Sequence, residues 1–318
     1  MHFPALRNWL VRLRHGAEAS ATPIPGLPLP GAEPDAAFPL PPAPHIPPGL
    51  PQSPSPAHPS WPPARHAIEE ELWGTGVLTP GGGPEVLRLA APIGLSAASS
   101  LLLLGAGAGG PAQFLATELG VWVTAHEADP DLAALAARRI QRAGAAMAKR
   151  ATIAGWNRHA PEFAPHSSHH ALALDAIRDA PVPPLLAAIA AGLKPHGQVV
   201  LVETVAQEPP DPADPAIAAW CRLEGRAPVL PQPEAITRGL SRLGFDVRVA
   251  EDVSARHMRL AVLGWRHLVR QMARDRPGPE RAAAVVAQAE LWTRRIRLMH
   301  AGRIRMMRWH AIGGAALG

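Results

Sequence analysis

Leu101-Leu102-Leu103-Leu104-Gly105-Ala106-Gly107-Ala108-Gly109-Gly110 is the stretch on which the fold turns, and Glu127 follows it twenty residues past Gly107. Four leucines in succession predict a strand buried on both faces, as in the interior of a parallel sheet. The glycines allow a sharp turn at its end and let bare backbone N–H groups approach a ligand that a Cβ would obstruct. Residues 111–119 then carry helical periodicity and stop at Gly120, a C′ glycine. A second apolar run over 121–125 delivers Glu127 just past another strand end, where its carboxylate can accept from both hydroxyls of a ribose. The pattern predicts a nucleoside-bearing ligand. Gly105, Gly107 and Gly110 also fit the dinucleotide spacing G-x-G-x-x-G, so the loop alone does not choose the cofactor.

Outward from the loop, helices are expected over 130–143 and 183–193, and strands over 151–154, 170–174 and 198–203. This alternation means right-handed βαβ units: an α/β, doubly wound Rossmann-like sheet with helices on both faces. Ligands in such sheets bind at the carboxyl ends of the strands, where Gly105, Glu127, Asp175 and Glu203 fall. Upstream, helices over 64–72 and 84–91 flank a turn-rich segment over 73–83. Downstream come helices over 214–223, 233–243, 255–273 and 280–299, and strands over 245–249 and 303–312.

Composition divides the chain. Nearly half of its 38 prolines lie between Pro23 and Pro63, in a stretch too poor in periodic apolar residues to offset the cost of ordering it. The expected organisation is a basic amphipathic segment over 1–16, a proline-rich disordered linker over 17–63 and a folded domain over 64–318, with a helical insertion at about 255–300. Phe3, Leu6, Trp9, Leu10 and Leu13 among Arg7, Arg12 and Arg14 suit an anionic membrane surface or a protein groove. The single cysteine, Cys221, excludes an internal disulfide and a multi-cysteine zinc site. No apolar run is long enough to span a membrane. A formal charge of +5 with no recognition motif argues against specific nucleic-acid binding. The expected localisation is cytoplasmic, with residues 1–16 as a route to peripheral membrane association. His159, His166, His169 and His170 are read as a surface run, since neighbours on a strand point to opposite faces; no metal is expected.

The segments LLLLGAGAGGPAQFLA, VTAHEADPDL, ALALDAIRDAP and LKPHGQVVLVE resemble those of the class I S-adenosylmethionine-dependent methyltransferases. RLGFDVRVAEDVS and RIRMMRWHAIG are looser likenesses. WGTGVLTPGGGPEVL is similar to the lead-in of small-molecule methyltransferases acting on amines and phosphobases. The resemblance runs from residue 73 to the C-terminus. It implies a seven-stranded, mostly parallel sheet with a reversed terminal strand, placed here at the edge, and S-adenosyl-L-methionine as cofactor. Gly105, Ala106, Gly107 and Gly109 would then meet the cofactor's methionyl part, and Glu127 its ribose. The family usually has Asp at the Glu127 position. After the third strand, Trp156 and Asn157 stand where an acid is usual, so Asn157 is assigned to the adenine. The chain has no tyrosine, which excludes the catalytic tyrosine of phosphoethanolamine methyltransferases.

An activated methyl donor leaves the protein chiefly to align a nucleophile and exclude water, with a base needed only for a protonated acceptor. Asp175, Glu203 and His257 are the candidate catalytic residues, each with a capping or structural hydrogen bond as its plainer role. Arg294, Arg295, Arg297, Arg303, Arg305 and Arg308 read as a solvated helix side and an edge strand, or else as a site for an anionic headgroup. The expected activity is methyl transfer to a small-molecule or lipid-like acceptor. An NAD(P)-dependent oxidoreductase and a non-catalytic binding or scaffold protein on the same fold are the alternatives.

Overall fold

A computed structural model describes residues 63–314, apart from Asp179 and Arg276. The expected amphipathic segment over 1–16 and nearly all of the linker lie outside the described residues. The elements in chain order are α1 (Pro63–Trp73), α2 (Gly82–Ala90), β1 (Ser100–Leu104), α3 (Gly110–Leu119), β2 (Trp122–Glu127), α4 (Pro130–Arg142) and α5 (Ala145–Arg150). There follow β3 (Ala151–Gly155), β4 (Ser168–Leu174), α6 (Val182–Gly192), β5 (Leu193–Val205), α7 (Pro215–Glu224), α8 (Pro233–Arg242) and β6 (Phe245–Asp252). Two long helices, α9 (Ser254–Arg274) and α10 (Pro279–His300), precede β7 (Arg305–Gly313).

One seven-stranded sheet has the order β3-β2-β1-β4-β5-β7-β6. β7 runs antiparallel to both of its neighbours, and the other pairs are parallel. The leucine run explains the layering. Leu101 and Leu103 enter a core shared with α1, α2, α3, α9 and α10, while Leu102 and Leu104 enter the opposite core with α6 and α8. All four are at most 2% exposed, and burial of each such side chain contributes about 1.5–3 kcal/mol. A strand so placed has no polar face.

Two expectations need correction. β7 is not an edge strand: it lies between β5 and β6, and β6 forms the edge. Its arginines are cross-strand partners, with Arg308 directly opposite Glu251 and 2.8 Å from it. Strand β5 starts earlier than the expected residue 198, taking in Lys194-Pro195-His196-Gly197 with His196 at φ 58 and an irregular register against β4.

Candidate functional site

A cavity lies at the carboxyl ends of β1, β2, β4 and β5, walled by the segment joining α1 to α2 and roofed by α9 and α10. Gly105, Gly107 and Glu127 line it. Gly105 has φ 73, and a Cβ there would sit 2.1 Å from the Leu174 carbonyl oxygen, so close approach to the end of β4 itself demands glycine. Gly107, at φ 55, passes against Leu78. Ala106 is fully buried and Gly109 caps α3 at φ 91, and neither lines the cavity. Gly110 donates to the Gly76 carbonyl at 3.0 Å, which fastens the turn-rich segment onto the loop.

Glu127 Oε2 accepts from the Gly107 N–H at 2.8 Å, while Oε1 accepts from Ala128 at 2.8 Å and Asp129 at 3.1 Å. Burial pushes this carboxyl above its ordinary range, opposed by those N–H groups and by the Arg158 charge. Glu127 therefore ties the ends of β1 and β2 together, with its remaining lone pairs in the cavity wall. Asn157 is exposed, spends Oδ1 on the His159 N–H at 2.9 Å and is not among the lining residues. Arg158 lines the cavity in its place. Trp156 packs near Phe163, ring centroids 5.9 Å apart, on the opposite core.

The three candidate catalytic residues separate. Asp175, at φ 49, lines the cavity and accepts from the Thr204 N–H at 3.0 Å. Burial alone would raise its carboxyl, but Arg226, Arg295 and Arg178 overcome this and hold it at about 2. Glu203 is 1% exposed, lies outside the lining set and gives both oxygens to the Ala176 and Ile177 N–H groups, at 2.9 and 3.1 Å. Burial and the adjacent Asp175 charge push it well above the ordinary range, and it braces the turn that carries Asp175. His257, in the first turn of α9, lines the cavity, and burial together with the Arg295 charge lowers it to about 3. Its imidazole is neutral.

Beside His257 lies a wall that the sequence reading did not assemble, and Arg295, read there within a solvated arginine run, is buried in it. The Trp292 ring sits 5.6 Å from His257 and 5.3 Å from the Arg295 guanidinium carbon, and all three residues are at most 8% exposed. Arg295 Nη1 meets Glu224 at 3.3 Å and Nη2 donates to Thr204 Oγ1 at 2.9 Å. Among the described residues, His257 Nε2, Trp292 Nε1 and Arg295 Nε have no hydrogen-bond partner. Leaving a buried donor unmet costs about 1–3 kcal/mol, so three adjacent ones in a cavity wall suit a ligand rich in acceptors. Glu69 completes this end, accepting from Trp73 Nε1 and Gln288 Nε2. The available sequence signal was polar residues on buried helix faces: Glu69 between Ile68 and Leu72, and Arg295 three residues after Trp292.

No protein-family model matches the chain, and a search of curated proteins returns no match. Solved structures do match. Haemonchus contortus phosphoethanolamine N-methyltransferase 2 in complex with S-adenosyl-L-methionine aligns with a TM-score of 0.67 at 20% identity, over 78% of this chain and 56% of that one. The same enzyme with phosphomonomethylethanolamine and S-adenosylhomocysteine gives 0.65 at 20% identity, over 79% and 58%. A putative sarcosine dimethylglycine methyltransferase from Galdieria sulphuraria gives 0.59 at 16% identity, over 73% and 85%. The chain thus spans a little over half the length of the Haemonchus enzyme. These likenesses establish that the protein has the class I methyltransferase fold. The oxidoreductase alternative finds no support in it, because a reversed strand between β5 and β6 departs from the parallel dinucleotide sheet.

Proposed function

We propose that this protein transfers a methyl group from S-adenosyl-L-methionine to a small-molecule acceptor that carries an oxyanion. The observation that carries this reading is a single cavity holding the Glu127–glycine-loop wall on one side and the unmet donors of His257, Trp292 and Arg295 on the other. Glu127, lining the cavity beside Gly105 and Gly107, would receive the ribose hydroxyls. When bound, the cofactor would supply a methyl group already activated on a sulfonium.

The chain's own residues do the rest. Trp292 Nε1 and Arg295 Nε donate to the acceptor's oxyanion and fix its position. Asp175, held as a carboxylate, faces positive charge on acceptor or cofactor. The neutral His257 imidazole hydrogen-bonds the acceptor through Nε2 and orients its nucleophilic atom. The aligned Haemonchus structure with phosphomonomethylethanolamine supports the choice of a phosphorylated amine, and the aligned putative sarcosine dimethylglycine methyltransferase that of a carboxylated one.

Thermal unfolding with saturating S-adenosylhomocysteine tests the cofactor, and labelled methyl transfer to a panel of phosphorylated and carboxylated amines tests the acceptor. A rise in Tm on the order of 5 °C or more is expected at about a hundredfold excess over Kd. No shift with either S-adenosylmethionine or its demethylated product would sink the proposal.

A further inference from the structure

The outer face of α9 carries a feature that methyl transfer does not use. This 21-residue helix contains five arginines and no aspartate or glutamate. Arg256 is bound to Glu85 at 2.6 Å. Arg259, Arg266, Arg270 and Arg274 are exposed, and none has an ion-pair partner among the described residues. Their spacing, with Leu263 between the first two, advances by four, three, four and four residues. That places them in one row about 22 Å long, within roughly a quarter of the helix circumference. Leu263, in that row, is 51% exposed.

We propose that this row is a docking face for an anionic lipid surface. The uncompensated positive charge is complementary to a layer of anionic headgroups, and a straight row on one helix meets a plane along its whole length. The exposed leucine decides between polyanions: it has nothing to contact on a phosphodiester backbone, whereas at a bilayer it enters the headgroup boundary. The opposite face of the same helix places His257 in the cavity, and Leu260, next to Arg259, also lines it. Docking therefore brings one rim of the cavity to the lipid surface. This inference stands whether or not the protein transfers methyl groups.

Flotation of the full-length protein with phosphatidylcholine vesicles containing about a third phosphatidylglycerol, against pure phosphatidylcholine, reads it directly. Binding to the anionic vesicles alone is expected, weakening as salt rises. The combined substitution Arg259→Glu, Arg266→Glu and Arg270→Glu should weaken it on the order of 100-fold, with unchanged thermal unfolding showing the fold intact. Leu263→Ser should weaken it without altering the salt dependence. The proposal is overturned by an absence of binding to anionic vesicles, or by binding that survives the triple substitution and so arises elsewhere in the chain. It is also overturned if a DNA duplex is held through the same arginines more tightly than the vesicles.

Discussion

Glu69 and His257 line one cavity, and burial drives both toward their uncharged forms. Burial raises Glu69 from 4.5 to about 7, against the pull of Arg65 and the Trp73 hydrogen bond. The folded protein therefore holds a proton on Glu69 between those values that the unfolded chain has released. Its contribution to stability is intact below about pH 4.5 and is lost as pH rises through about 7, a change of roughly 3 kcal/mol. His257 runs oppositely: its folded value is about 3 against an ordinary 6.5, so its contribution is full above 6.5 and lost as pH falls toward 3. Comparing wild type with Glu69→Gln cancels the histidine. Urea unfolding from pH 5 to pH 8 should show wild type losing stability relative to the variant as pH rises. Parallel curves would mean that Glu69 is already ionised at neutral pH.

At the scale of elements, α9 crosses α1 at a glycine. A Cβ on Gly264 would lie 2.2 Å from Cζ3 of Trp73 and 2.9 Å from the Leu72 carbonyl oxygen. Gly264→Ala should therefore destabilise the protein by about 1–3 kcal/mol through overpacking, while Gly278→Ala, in open space, should change little; urea midpoints compare the two. If Gly264→Ala is equally silent, α1 and α9 are not rigidly docked. Individual elements were largely legible, since each rests on local pattern: α3 begins and ends at its glycines, and α7 starts at the Asp214 cap. Strand order was less so. The arginines of β7 suggested an edge, but alternation reports only which face is buried, not which strand lies alongside. The answer was held in Glu251 and Asp252 on β6, whose charges match Arg308 and Arg305 across the ladder.

Across the whole molecule, the two walls of the cavity differ in how far apart their residues lie in the chain. Gly105 to Glu127 spans one βαβ unit, so that wall could be read as a motif. Asp175 follows β4, while Glu224, His257, Trp292 and Arg295 come from α7, α9 and α10, where helical periodicity marks each as buried without saying what it meets. Asn157 stands outside the cavity lining for a related reason: its side chain closes a local turn, a competition that residue type alone does not disclose. The division implies separable ligands. Trp292→Phe keeps one ring beside Trp73 and His257 and removes the Nε1 donor together with the second ring of the indole. Its affinity for S-adenosylhomocysteine should stay within about twofold of wild type, while that of the resulting complex for inorganic phosphate should fall roughly 10- to 150-fold, the worth of one hydrogen bond to a charged group. Arg295 is the poorer probe, because removing it takes the nearer of two arginine partners from the buried Glu224 carboxylate, leaving Arg178, and so confounds binding with folding. Titration calorimetry with the two ligands in sequence measures both numbers on one sample. Equal losses for both would show that Trp292 serves the cofactor wall as well, and the partition of the cavity into two binding surfaces would fail.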